Sequence, residues 1–267
     1  MKKVRLNVFS LLEKVRSRKP VIHHLTNWVT IYDCANVVKV FGASPVMAHA
    51  PEEAAQMSAI SSALVLNIGT LTKDLVTAMM IAAKSANQKG IPVILDACGA
   101  GATALRTDSC LDLINNRRID IIKGNASEIA CLAGEKVMTK GVDSSEVGSD
   151  LKKIASKLAL KRKCTVVITG KEDIVNNGHK SYIIRNGHPM MGKIVGTGCM
   201  AASVIGTFAA VEKDLSFAAA SGLVCFEIAA ELAVKKALGP GTFKEKIYDC
   251  IYNLDEKTLN GMQKVYQ

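Results

Sequence analysis

Aromatic residues are scarce, with six Phe, five Tyr and a single Trp making up 4% of 267 residues. Proteins that hold nucleic acid without sequence preference stack bases on such rings. The formal charge of +10 therefore lacks a matching platform, and the Lys and Arg residues are scattered, the densest run being Lys161-Arg162-Lys163. No nucleic-acid partner is expected, whereas a basic balance suits an anionic small molecule. The eight cysteines contain no C-x-x-C spacing, which excludes a zinc ribbon and gives no regular disulfide framework. Reduced thiols and a cytoplasmic protein are the expectation. Apolar runs are repeatedly interrupted by Gly, Ser or charge, so no membrane segment is predicted. With 49% apolar and 22% charged residues, disorder is excluded as well.

What is present is alternation. Short Val- and Ile-rich runs at 45–47, 63–66, 92–95, 119–122 and 165–168 read as buried strands, and helix-length segments at 51–61, 71–89 and 145–160 lie between them. Repeated βα units predict an α/β fold with a mainly parallel sheet. Residues 1–18 read as an amphipathic helix. The runs 181–185 and 188–191 flank Asn186-Gly187 and predict an antiparallel hairpin. Beyond them, 201–211, 217–237 and 243–259 are helical, the first two so rich in Ala that they belong inside the protein. One domain over 1–267 is expected at this length.

In an open parallel sheet, ligands bind beyond the carboxyl ends of the strands. Residues directly after each run are therefore the candidates. They are Asn67, Gly69 and Thr70; Asp96, Gly99 and Gly101; Lys123 to Glu128; Thr169 and Gly170; and Gly196 to Cys199. Gly196-Thr197-Gly198-Cys199 opens an apolar helix, so its N–H groups and the helix dipole converge on an anion. The lysine of a Walker A loop is missing, which excludes a P-loop. Cys199 reads either as an activated thiolate at a helix start or as a small buried hydrophobe, and the anion-binding context favours function for it and packing for the other seven cysteines. Asp96 and Glu128 could hold Mg²⁺ through water, with Lys123 facing phosphate oxygens. Asn125 to Glu128 also fits a capping box. Gly99 and Gly101 satisfy G-x-G-x-x-A, so an NADP-dependent oxidoreductase with Lys123 on the phosphate stays open, as does a hydrolase with Cys199 as nucleophile. By periodicity alone Met47 reads as core, and Asn27 as a turn or cap residue.

Taken together, His23-His24-Leu25-Thr26-Asn27-Trp28-Val29-Thr30, Ala35-Asn36, Gly42 to Met47, Asn67 to Leu71 and the motifs above closely resemble hydroxyethylthiazole kinases, from about residue 20 to Phe243. The resemblance implies a ribokinase-like three-layer fold and Mg²⁺-dependent transfer of the ATP γ-phosphoryl group to 4-methyl-5-(2-hydroxyethyl)thiazole in thiamine biosynthesis or salvage. It implies a homotrimer with active sites between subunits. By position, Met47, Gly196, Asn27 and Gly69 would contact the thiazole, Lys123 and Thr169 the ATP, and Asp96 and Glu128 the metal. Gly196, Gly198 and Cys199 would be catalytic. There are three departures from the family pattern. Ala97-Cys98 stands for the usual Pro-Val, Lys123 for Arg and His24 for Asn, and Lys123 keeps the charge but loses the bidentate fork.

Overall fold

The computed structural model describes residues 1–135 and 144–267. In chain order the strands are β1 (Lys3–Val4), β2 (Val21–Leu25), β3 (Ser44–Val46), β4 (Ala63–Asn67), β5 (Val93–Asp96), β6 (Ile121–Asn125), β7 (Thr165–Thr169), β8 (Asp173–Asn176), β9 (Ser181–Ile184) and β10 (Val265–Tyr266). They form one sheet ordered β1-β10-β9-β8-β7-β6-β5-β4-β2-β3. Pairing is parallel from β3 to β7 and antiparallel from β7 outward to β1.

Helices cover both faces. Against one lie α1 (Val8–Arg18), α2 (Ile31–Val40), α8 (Thr197–Ala209), α9 (Leu215–Val234), α10 (Pro240–Tyr252) and α11 (Glu256–Met262). Against the other lie α3 (Pro51–Ile60), α4 (Lys73–Lys89), α5 (Ala104–Asn116), α6 (Ala126–Ala133) and α7 (Ser144–Arg162). Strand side chains alternate between these cores. Val65, Ile94, Ile121 and Val167 enter the first, while Leu64, Leu66, Val93, Leu95, Ile122 and Val166 enter the second. The same period of two sets the polar strand ends. Two residues beyond Val65, Ile94 and Ile121 come Asn67, Asp96 and Lys123, on the α8 side of three adjacent strands. Pairing brings Asn67 opposite Asp96 and Asp96 opposite Lys123.

Helices α8 and α9 are interior, as their composition predicts. From Met200 to Ala209 every residue of α8 is buried. Helix α9 is long and apolar enough to cross a membrane, yet most of it is buried in the core, and packing against α8 and α10 accounts for its apolarity.

The predicted hairpin at Asn186-Gly187 is corrected. Pro189–Lys193 forms a turn of 3₁₀-helix rather than a strand, since Pro189 has no N–H to give a ladder. Strand β9 pairs with β10 instead. Asn186 accepts from Lys264 N at 2.8 Å and Gly187 N donates to Glu231 at 3.1 Å, so this pair steers the chain off the sheet. The antiparallel edge itself is present, with β8 and β9 joined over another Asn-Gly pair, Asn177-Gly178, where Gly178 N donates to Asn176 Oδ1 at 2.7 Å.

Candidate active site

The row Asn67, Asp96 and Lys123 lies beneath the start of α8. Lys123 Nζ donates to Asp96 Oδ1 at 3.0 Å, and Asn67 Nδ2 donates to Asp96 Oδ2 at 2.5 Å. The Asn67 amide also reaches Cys199 Sγ at 3.3 Å. Asn27 Nδ2 donates to Asn67 Oδ1 at 2.9 Å and to the same sulfur at 3.3 Å. Its own Oδ1 accepts from the N–H and hydroxyl of Thr30 at 3.0 and 3.1 Å. Asn27 is thus a turn residue, as its sequence context suggests, and a site residue as well.

Helix α8 begins on Gly196, which has φ +97°, a conformation costing side-chain-bearing residues about 1–2 kcal/mol. A Cβ there would also stand 2.7 Å from Thr30 Cγ2. Glycine is required on both counts. The N–H groups of the first helical turn have no intrahelical partner and are free to meet an anion. A Cβ on Gly198 would lie 3.3 Å from Lys123 Nζ, so the ammonium sits close under this helix end and adds its charge to the dipole.

Charge states follow from burial. Asp96 is 1% exposed, and burial lifts its carboxyl to about 7 against the pull of Lys123. Burial would lower the Lys123 ammonium, but the charge and hydrogen bond of Asp96 carry it above its ordinary value. Cys199 is lowered to about 5, chiefly because the Cys98 thiol donates to it, with burial opposing and Thr30, Lys123 and Asn27 assisting. The Cys98 thiol is raised by the same hydrogen bond.

These groups open into a cavity of 390 Å³ whose lining includes Asn27, Gly69, Asp96, Lys123, Glu128, Thr169, Gly196, Gly198 and Cys199. Each of these is a residue the sequence singles out. Met47 does not line it. Following β3 at the end of the sheet, Met47 is half-buried, and its carbonyl lies 3.3 Å from His49 Nδ1. Cys98, read from sequence as packing, lines the cavity instead, as do Thr30, Val29 and Val195. Hydrophobic patterning carries no signal for Cys98, because a thiol after a strand reads as core.

Glu128 has both oxygens engaged. Oε1 accepts from Gly99 N at 2.7 Å and Oε2 from Asn125 N at 2.6 Å, the latter completing the expected capping box. Among the described residues no three His, Cys, Asp or Glu side chains gather to hold a metal. Asp96 and Glu128 nevertheless fit a hard cation held largely through water and phosphate oxygens, since each carboxylate oxygen keeps a free lone pair.

The same contacts speak against the two other chemistries. Gly99 N is taken by Glu128 and Gly101 N by Thr107 Oγ1 at 3.0 Å, so neither glycine amide of the G-x-G turn is free for a pyrophosphate. Cys199 takes its hydrogen bonds from amides, a hydroxyl and a thiol, with no histidine among these partners to act as the base of a cysteine hydrolase.

Known proteins resemble this chain along nearly its whole length. A protein of Methanosarcina mazei named hydroxyethylthiazole kinase is 53% identical over 95% of this chain and 97% of its own length. The solved structure of a hydroxyethylthiazole kinase protein from Pyrococcus horikoshii superposes with a TM-score of 0.90 at 38% identity, covering 97% of this chain and 98% of that one. A ribokinase-like superfamily protein of Enterococcus faecalis, 13% identical with a TM-score of 0.63 over 94% and 98% of the two chains, shares the fold. Residues 12–257 match the hydroxyethylthiazole kinase family, and with relatives this similar over nearly its whole length the chain belongs to that family.

Proposed function

We propose that the cavity under α8 transfers the γ-phosphoryl group of ATP to the hydroxyl of 4-methyl-5-(2-hydroxyethyl)thiazole, giving the thiazole phosphate used in making thiamine, and that the chain acts as one kinase domain. The observation that carries this reading is the convergence of the α8 N-terminus and Lys123 in one cavity beside Cys199.

Phosphoryl transfer through a loose transition state needs positioning and charge stabilisation more than covalent help. The Gly196–Gly198 turn receives the moving phosphoryl group. Lys123 and Thr169 hold the triphosphate. Asn27 and Gly69 line the acceptor's side, and Cys199, ionised at neutral pH, takes the hydroxyl proton as a modest base. Asp96 and Glu128 are the residues that would hold Mg²⁺, which would neutralise charge on the phosphates. Asn67 holds Cys199 and Asp96 in register.

Met47 contacts thiazole only if it serves a neighbouring subunit's cavity, and the reading therefore includes a homotrimer with sites between subunits. Trp28, Val29, Tyr32 and Val195 support it, since these apolar side chains are between 61% and 74% exposed around or beside the mouth in a single chain. A cytoplasmic location with reduced thiols completes the proposal.

The test is incubation with Mg-ATP and the thiazole alcohol, followed by ³¹P NMR and mass analysis of product. Absence of thiazole phosphate at any protein concentration would overturn the assignment.

A further inference from the structure

Arg106 stands in the first turn of α5, where its backbone N–H donates to the capping hydroxyl of Thr103 at 3.4 Å. A cation at this end opposes the helix dipole, and the turn holds no acidic residue to offset it. Helix stability therefore does not explain this arginine. Its guanidinium reaches across two strand ends instead, and one terminal nitrogen, Nη1, donates to Ile68 O at 3.0 Å and to Cys98 O at 2.9 Å. We propose that Arg106 is a positioning residue for phosphotransfer, a clamp that fixes the acceptor side of the cavity at a set distance from the side that meets the phosphates.

Two separate loops meet at that nitrogen. Ile68 follows β4 and leads into Gly69, whose N–H donates to Asn67 Oδ1 at 2.9 Å. Gly69 also packs on Asn27, since a Cβ there would stand 2.8 Å from Asn27 Cβ. Cys98 follows β5 and leads into Gly99, whose N–H donates to Glu128 Oε1 at 2.7 Å. The backbone bond between the two loops, Ile68 N to Asp96 O, is long at 3.4 Å, so their register falls to the guanidinium. Both hydrogens of Nη1 are spent on it, and the planar group fixes the angle between them, as a lysine ammonium on its flexible stem would not.

The G-x-G turn acquires a purpose in this arrangement. A Cβ on Gly99 would stand 2.8 Å from Arg106 Nη1, 3.1 Å from its Cδ and 3.3 Å from its Cζ, and the residue has φ +81°. Glycine makes room here for an arginine of the same chain.

The two sides of the clamp are not equally secured. Glu128 is held a second time, by Asn125 N at 2.6 Å, whereas the Gly69 turn leans on Asn27 and Asn67 alone. Loss of the guanidinium therefore lets the acceptor side drift while the carboxylates stay in place. Gly69 and Cys98 line the cavity, and a misplacement of about 1 Å at a reacting centre costs about 10²-fold in rate. The effect on turnover rests on the phosphotransfer reading, whereas the tethering of the two loops does not.

The experiment compares full-length R106M, R106A and R106K with the parent, each checked for fold by circular dichroism. In R106M, kcat should fall roughly tenfold to a hundredfold, KM for the thiazole alcohol should rise severalfold, and KM for Mg-ATP should stay within about twofold. More ADP should form per thiazole phosphate, because a misplaced acceptor yields the phosphoryl group to water. R106K keeps the charge without the plane and should shift the same ratio to a smaller extent. Millimolar guanidinium should restore turnover to R106A where methylammonium does not. Hydrogen exchange gives a readout apart from activity: the Gly69 and Gly99 amides should lose protection in R106M, and those of β7 should not. Turnover that only follows the folded fraction, with both KM values and the ADP-to-product ratio unchanged, overturns the proposal, as does unchanged exchange in the two loops. A parent that never phosphorylates thiazole, while the loop amides still exchange faster in R106M, counts against the kinase reading and leaves the clamp standing.

Discussion

Replacing Lys123 with Met removes the ammonium that bonds Asp96 at 3.0 Å, in a place where the two residues are 4% and 1% exposed. Breaking a buried pair by removing one partner costs about 3–5 kcal/mol, because the other charge is left uncompensated. At about 2–4 °C per kcal/mol for a large domain, Tm should fall by roughly 6–20 °C. The carboxyl has one escape, which is to take a proton. Burial already lifts it to about 7 from an ordinary 3.8, and without Lys123 it rises further. A carboxyl raised in the folded state contributes stability that is full below its unfolded value and lost as pH climbs through the folded value. The gap between variant and parent should therefore be wide at pH 8 and narrow toward pH 5. Adding Asp96→Asn to Lys123→Met removes the second charge while keeping an acceptor for Asn67, and should recover most of the loss. Urea denaturation of the parent, both single variants and the double variant at pH 5 and pH 8 gives the coupling energy directly. Equal destabilisation of Lys123→Met and the double variant, or a gap that ignores pH, would refute the reasoning. Neither Lys123→Met nor the double variant should bind ATP normally, since on the proposed reading the group facing the phosphates is gone.

Three other expectations are open to measurement. Cys199→Ala should lower kcat by roughly 10²-fold or more, as for loss of a general base, with little change in KM for thiazole, and unchanged turnover would reduce Cys199 to packing. Gly206→Ala would place a methyl 2.5 Å from Val65 Cγ2 and 3.6 Å from Ile94 Cδ1, so overpacking between α8 and the sheet should destabilise by about 1–3 kcal/mol, visible as a lower urea midpoint. Asp173 and Glu227 are neighbouring buried carboxyls, both raised by burial and, for Glu227, further by the charge of Asp173 and Glu231. Stability from this pair is full below the ordinary carboxylate range and lost as pH rises through the raised values, so Glu227→Gln should flatten the fall in Tm on the alkaline side, and an unaltered pH profile would count against a shared proton.

Much of the sheet is legible in the sequence because parallel strands buried on both faces read as short continuous apolar runs. Strands β4 to β7 follow the predicted runs closely. Strand β2 is not legible, because His23 and His24 interrupt its pattern as polar residues. Both are 0% exposed. His23 is satisfied by Ser58 Oγ and Ala48 O at 2.9 Å each, and burial takes His24 down to about 3, so both are neutral core side chains. Asn186-Gly187 reads as the hairpin turn, yet Pro189 two residues on cannot join a ladder and the partners Glu231 and Lys264 hold the pair off the sheet, while Asn177-Gly178 makes the turn. In the site, Asp96, Lys123 and Cys199 are legible from the rule of strand ends. Asn27 emerges through resemblance rather than physics. Thr30 stands in a motif that carries the resemblance and Cys98 at a departure from it, yet neither receives a site role, because their neighbours Gly196 and Cys199 are distant in sequence and adjacent only in the fold.

The depth at which α8 is sunk has a bearing on selectivity. A helix buried from Met200 to Ala209 cannot tilt to meet a poorly placed ligand, and its first turn is backed by Thr30. The donors are fixed before substrate arrives. On the proposed reading, choice among alcohols would work as a ruler: an arm too short would leave its oxygen stranded away from Cys199, and an arm too long would jam the ring at the mouth.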